Sequence, residues 1–265
     1  MPPVLSSSTP LTHEALQQRL LERYPSLSPQ LQQIAQYVID NPRKVALQTI
    51  AELAAELDVQ PSAVIRLAKA LDFKGFSDIQ RVMRGALVEP PRARYDGRIR
   101  AGKDDTLAYF TDLAQESLRD LPGQKQIDVA AEMLRAAKRV HICGNRRSFA
   151  FASHLTYLLS GFDAPVRQLS MLGDMGDIEA NFIEENDLLV AFSFPDYSAT
   201  TSNLVKHARQ QGARILAITN SKVAPVAATA HTSLICDIHS DKAGFRSGVG
   251  VMVTIQALTL AYGQG

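Results

Sequence analysis

The chain is poor in several things, and each shortage excludes something. Its 265 residues include two cysteines and no tryptophan, and its net charge is only +1. Cys143 and Cys236 each sit inside an apolar run that reads as a buried strand, and no Cys-x-x-Cys pair exists. That excludes a disulfide framework and a thiolate zinc site. The near-balance of charge excludes a molecule that is basic throughout, so any nucleic-acid binding has to rest on local charge. No run is both long and apolar enough to cross a bilayer: residues 249–262 lean apolar, but Thr254, Gln256 and Thr259 interrupt them. Residues 1–10 carry no basic residue and no apolar core, which argues against a signal peptide; their serines and prolines read as a disordered tail. A cytoplasmic protein with no membrane partner is expected. The six histidines, His13, His141, His154, His207, His231 and His239, lack metal-ligand spacing. They read as surface or packing residues, and neither a metal nor a cofactor is expected.

What is present suits a globular chain of two domains. The hydrophobic fraction is 46% and the charged fraction 21%. Residues 11–88 show helical patterning only. From about residue 139, short aliphatic runs alternate with amphipathic stretches, the pattern of βαβ units around a parallel sheet. Between them, Glu89-Pro90-Pro91-Arg92-Ala93-Arg94-Tyr95-Asp96-Gly97 has linker composition. The expected fold class is an all-α helix-turn-helix domain at 11–88, a linker at 89–104, and an α/β three-layer domain with a parallel sheet at 105–265.

In the first half, Ser28-Pro29 opens a helix as N-cap and first helical residue, and Asn41-Pro42 ends it. Thr49 and Glu52 have capping-box spacing at the start of the next helix. Ala54 supplies a small side chain where two helices cross. Asp58-Val59 marks a tight turn, since Asp tolerates left-handed backbone. Pro61 opens a further helix with Val64, Leu67 and Leu71 inward and Gln60, Ser62, Ile65, Arg66 and Lys69 outward. This is the candidate recognition helix, whose N-terminal residues would face base edges in a major groove. Arg66 suits guanine or phosphate, and Ser62 phosphate or base. Residues 60–84 hold five basic residues, Arg66, Lys69, Lys74, Arg81 and Arg84, against Asp72 and Asp78. The candidate DNA contacts are Gln60, Ser62, Arg66, Lys69 and Lys74. The same pattern also fits a helical bundle with a solvated basic face.

Three runs carry a resemblance: Thr49-Ile50-Ala51-Glu52-Leu53-Ala54, Ser62-Ala63-Val64-Ile65-Arg66-Leu67-Ala68-Lys69-Ala70-Leu71, and Phe73-Lys74-Gly75-Phe76. They resemble the N-terminal domain of RpiR/MurR-family bacterial regulators, which join a helix-turn-helix to a sugar isomerase (SIS) domain. The chain departs from the family pattern at Ala63, where threonine is usual, and at Asp72, where glycine is usual. The first change implies a lost hydroxyl contact to DNA, and the second puts a side chain at a helix C-terminus that favours glycine.

In the second half, strands are expected at 140–143, 166–169, 188–193, 214–219 and 233–237. Helices are expected at 105–121, 126–138, 149–160, 201–211 and about 245–262. Ligands of open parallel sheets collect beyond the carboxyl ends of strands, where strand order reverses. Three polar loops follow such ends: Gly144-Asn145-Arg146-Arg147-Ser148, Ser193-Phe194-Pro195-Asp196-Tyr197-Ser198-Ala199-Thr200-Thr201, and Thr219-Asn220-Ser221. The second places hydroxyls at a helix N-terminus, which suits phosphate or carboxylate. The candidate ligand residues are Asn145, Arg146, Arg147, Ser148, Ser193, Tyr197, Ser198, Thr200, Thr201, Asn220 and Ser221. Hydroxyls at helix starts also serve as plain caps, and an arginine pair also suits a subunit interface.

These loops resemble the sugar-phosphate site of SIS domains, with Ser148 at the serine of the first loop and Tyr197-Ser198-Ala199-Thr200-Thr201 at a Tyr-Ser-Gly-Glu-Thr loop. The resemblance implies a transcriptional regulator, commonly a repressor, with double-stranded DNA as partner. The operator would be pseudo-palindromic and read by a homodimer or tetramer. A small anionic sugar-like effector would control it, and Arg146 and Arg147 point to one as charged as a sugar-acid phosphate. The alternative is a sugar-phosphate isomerase, which needs a general base and acid. The loops hold one acid, Asp196, and no histidine, and Thr200 stands where the family has Glu.

Overall fold

The computed structural model describes residues 13–88, 105–172, 175–195, 197–236, 238 and 246–265. The expected tail at 1–10 and linker at 89–104 lie outside them. The chain divides into two compact units, Met1–Ala93 and Arg94–Gly265.

The first unit is helical: α1 His13–Arg23, a 3-10 turn Tyr24–Ser26, α2 Pro29–Asp40, α3 Pro42–Leu47, α4 Ile50–Glu56, α5 Pro61–Ala70 and α6 Phe76–Val88. Pro29 takes the first position of α2, but the Ser28 side chain makes no capping bond. After α2 the chain turns at once into α3, a helix of six residues, too short for its pattern to show in the sequence. Pro42 therefore does more than end α2: it sits in the first turn of α3, where its missing N–H costs nothing. The capping box at α4 is complete. The Glu52 amide donates to Thr49 Oγ1 at 3.2 Å and the Thr49 amide to Glu52 Oε2 at 2.7 Å. Asp58 holds the turn after α4 at φ 52°, the left-handed backbone expected there. Asp72 does the same after α5 at φ 63°, and Arg23 pairs with its carboxylate at 3.0 Å. Leu53 and Ala54 of α4 and the α5 stripe Val64, Leu67 and Leu71 are buried, as are Leu16, Leu20, Ile34, Val38 and Phe76.

The second unit runs α7 Thr106–Ser117, α8 Gln124–Arg135, β1 Val140–Gly144, α9 Ser148–Ser160, β2 Val166–Gln168, α10 Met175–Ala180, β3 Leu188–Phe192, α11 Ala199–Gln210, β4 Arg214–Thr219, α12 Pro225–Thr229, β5 Thr232–Ile235 and α13 Val249–Gly263. All five expected strands form, with ends shifted by two residues at most. They make one parallel sheet in the order β2-β1-β3-β4-β5. Helices α10 and α12, six and five residues long, were not foreseen, because one turn or so carries no measurable period. The final helix starts at Val249, later than expected, and residue 245 lies outside the described residues.

Alternation along β3 sorts the two cores. Leu188, Val190 and Phe192 join α8, α9 and α13 on one face, while Leu189 and Ala191 join α10, α11 and α12 on the other. Both faces are therefore covered, as a parallel sheet requires. At the amino end of β3, buried Asp187 accepts from the Glu184 amide at 3.0 Å and from Arg139 Nε at 3.2 Å, and it pairs with buried His141 Nε2 at 3.0 Å. His141 is thus a packing residue with a fixed partner. Cys143 and Cys236 are free and buried, and burial pushes their thiols up to about 12 and about 11, which makes them inert.

Candidate effector site and helix-turn-helix face

Helix α5 turns its expected face outward. Gln60, its N-cap, and Ser62, Ile65, Arg66 and Lys69 are all exposed, as is Lys74 in the turn before α6. Arg66 is not idle: its guanidinium donates to Gln30 Oε1 of α2 at 2.9 Å. That bond holds the arginine across the surface between two helices. Ala63 is fully buried. A hydroxyl at that position would point into the core, so the absence of threonine there removes no outward contact.

In the second unit, strand order reverses between β1 and β3, whose carboxyl ends release the first two polar loops side by side. Gly144 ends β1 under the first turn of α9. A Cβ at this position would lie 2.4 Å from the Ser148 carbonyl oxygen, so only glycine allows helix and strand to approach this closely. The next residues bend sharply. Arg146 sits at φ 55°, and its amide is bound by Asn145 Oδ1 at 2.8 Å. Ser148, at the first position of α9, is buried.

Across the gap, Ser198 caps α11, accepting from the Thr201 amide at 3.4 Å and from Asn145 Nδ2 at 3.3 Å. The two loops are thereby tied together. Between them opens a cavity of about 130 Å³. At roughly 10–15 Å³ per water, that is room for about ten waters or a small metabolite. Asn145, Arg146, Arg147, Ser148, Ser193, Ser198 and Thr201 line it, seven of the eleven residues singled out from the sequence.

Two of these residues are incompletely satisfied. Ser193 Oγ and Thr201 Oγ1 are buried and have no hydrogen-bond partner. Buried hydroxyls normally find one, and leaving them unpaired costs free energy. Thr201 lies in the first turn of α11, whose start carries the positive end of the helix dipole, and Ser193 directly follows β3. Arginines supply the remaining positive charge. Arg147 donates to the Pro195 carbonyl at 3.2 Å, and Arg246 donates to the same oxygen.

The other four candidates do not line the cavity. Tyr197 is buried and its hydroxyl donates to Asn220 Oδ1 at 2.9 Å, so the pair braces the β3 loop against the β4 loop. Burial raises the Tyr197 phenol above its ordinary value. Ser221 Oγ accepts from the Val223 amide at 3.3 Å in a local turn. Thr200 is exposed, near Gly176 of α10. Conversely, the sequence reading missed Ile238, Arg246, Ser247 and Gly248 between β5 and α13, and Phe151 of α9. The cue for the first group was Arg246-Ser247-Gly248 just ahead of the last apolar helix, which was read as part of that helix. Ser247 is anchored through its hydroxyl, 3.2 Å from Ser117 Oγ of α7. Asp196 lies outside the described residues.

Comparison with known proteins agrees with both units. Residues 14–89 match the model of the helix-turn-helix domain of the rpiR family, and residues 133–263 match that of the SIS domain. An uncharacterised helix-turn-helix-type transcriptional regulator of Caldanaerobacter subterraneus is 23% identical over 233 residues, covering 86% of this chain and 81% of its own. The Bacillus subtilis regulator YbbH is 25% identical over 225 residues, covering 83% and 79%. Among solved structures, the Vibrio vulnificus NanR protein complexed with ManNAc-6P superposes with a TM-score of 0.53 at 18% identity, over 93% of this chain and 90% of its own. The sugar isomerase domain of an RpiR transcription factor from Sphaerobacter thermophilus gives 0.55 at 23% identity, over 60% and 90%. With a helix-turn-helix unit carrying the Thr49–Glu52 box and the α5 face, and a parallel-sheet unit with its cavity at the strand reversal, the chain belongs to the rpiR family of helix-turn-helix transcriptional regulators with an SIS domain.

Proposed function

We propose that this regulator binds a pseudo-palindromic DNA site as a homodimer or tetramer in the cytoplasm, most simply as a repressor. On this reading a small anionic sugar-like metabolite, a phosphorylated sugar or sugar acid, occupies the SIS cavity and sets the DNA affinity. Residues 89–104 serve as the linker between the two functions. The observation that carries the effector reading is the convergence on one cavity of the α11 start, with Ser198 and Thr201, and of Arg146, Arg147 and Arg246. Such a site is built for an anion with acceptor oxygens. On the DNA side, exposed Ser62, Arg66 and Lys69 along one face of α5 support major-groove docking, with Gln60 and Lys74 flanking it. An effector controls DNA binding only if it binds the competent and incompetent states with different affinity.

The isomerase alternative lacks a base in the cavity: among the described lining residues there is no Asp, Glu or His. The test is sequencing of genomic fragments captured by the full chain, with and without a pool of sugar phosphates. An enriched inverted repeat whose capture changes with the pool is the expected result. Arg66→Ala should weaken binding to that repeat by about 1–3 kcal/mol if the arginine reads a base. No enriched site under either condition, together with turnover of any pool member, would replace the regulator by the enzyme.

A further inference from the structure

Helix α7 is the first described element after residues 89–104, the stretch that joins the two units in sequence. Leu113 and Ser117 are its buried residues, while Leu107 and Phe110 nearer its start are exposed. Its hold on the second unit is therefore concentrated toward its C-terminal end. That end meets the start of α13 closely: a Cβ on Gly250 would lie 2.3 Å from the Ser117 carbonyl oxygen, so a larger residue would push the two helices apart. The Ser117 hydroxyl is buried and fully bonded. Its one proton goes to the Ala114 carbonyl at 2.7 Å. Its lone pairs then accept from Ser247 Oγ at 3.2 Å and from the Gly250 amide at 3.3 Å. Ser247 lines the cavity, accepts from the Val249 amide at 3.3 Å, and directs its own proton to Ser117. An occupant hydroxyl that donates to Ser247 thus extends a chain of bonds that ends on α7, and hydrogen bonds in such a chain strengthen one another.

We infer that Ser117 is a coupling residue: through Ser247 it carries occupancy of the cavity to α7, and so to the chain that leads back to the helix-turn-helix unit. Ser117 lies behind the cavity wall and acts on an occupant only through Ser247. This rests on the reading of the cavity as the effector site, and it names the contact by which that site reaches outward.

The test is hydrogen exchange of the full chain read by mass spectrometry. Glycerol 3-phosphate and glucose 6-phosphate are the probes, and ligand-observed NMR follows their binding. A bound probe is expected to slow exchange in α7 by about fivefold or more. Helix α8 is the control. Its Arg135 donates to the Ala261 and Tyr262 carbonyls at 2.8 and 3.2 Å, at the far end of α13, so its exchange should not change. Ser117→Ala should bind the probes as its parent does and lose the slowing in α7. If that variant does not fold, Ser117→Cys, which weakens the bonds but keeps a side chain of similar shape, takes its place and should reduce the slowing. If a probe binds while α7 exchange stays unchanged, rises, or slows together with that of α8, the coupling is overturned and the effector site stands. Undiminished slowing in the Ser117 variant overturns it equally. If neither probe binds, the effector reading falls and this inference falls with it.

Discussion

Replacing Gly144 with alanine puts a methyl group where the structure has none to spare. The new Cβ would lie 2.4 Å from the Ser148 carbonyl oxygen, 2.7 Å from its carbon and 3.1 Å from its Cβ. Backbone atoms cannot swing aside, so β1 and the start of α9 must separate. Opposing this, removing a glycine from a strand gains about 0.5–1 kcal/mol of backbone entropy. Forced overpacking costs about 1–3 kcal/mol, and a clash this short with backbone falls above the low end of that range, so the clash wins, with a central net loss of about 1 kcal/mol. For a unit of this size that is a fall in melting temperature of about 2–4 °C. The functional loss should exceed the stability loss, because Asn145, Arg146, Arg147 and Ser148 all move with the turn, and binding geometry tolerates only about 0.5 Å. Thermal unfolding by circular dichroism and phosphate titration of the same sample measure the two effects. A Gly144→Ala protein as stable as its parent, with unchanged phosphate affinity, would refute the steric argument.

Two further outcomes are expected. Thr201→Val and Ser193→Ala remove hydroxyls that have no hydrogen-bond partner within the protein, so unfolding stability should hold or rise while phosphate affinity drops about tenfold or more; a marked loss of stability in urea titration would assign these hydroxyls to the fold. Burial works to raise the Asp187 carboxyl, but the Glu184 amide, His141 and Arg139 outweigh it and hold the group below its ordinary value. A depressed folded value means that this stabilisation is complete above the unfolded value of about 3.9 and is lost as pH falls through the folded one. Asp187→Ala leaves the Glu184 amide and buried His141 without their acceptor, so it should cost about 1–3 kcal/mol near neutrality and flatten the acid limb of urea stability below about pH 4. An acid limb as steep as the parent's would show that other carboxylates set it.

Much of the helix-turn-helix was legible because its signals are local. Thr49 and Glu52 need only three residues' separation to make a box, Asp58 needs only its own backbone preference, and Pro61 announces a first helical turn. The loops after β1 and β3 were legible for a similar reason: an apolar run followed by glycine or hydroxyls marks a strand end. Helix α3 was lost because proline looks alike as a terminator and as an opener. Tyr197 and Asn220 have the chemistry of ligand contacts, but they spend it on each other, 23 positions apart in sequence.

By itself, the sequence determined the two kinds of unit, the parallel sheet, the outward face of α5 and most of the polar wall of the cavity. Each follows from periodicity or from backbone chemistry within a few residues. Only the tertiary structure decided that Arg246 meets the loop carrying Arg147 at one carbonyl oxygen, Pro195. It alone left Ser193 and Thr201 without partners, and it set Phe151 and Ile238 against the same space. The physical reason is that a cavity belongs to no segment: it is the gap left where β1, β3, α9, α11 and the approach to α13 fail to fill the strand reversal.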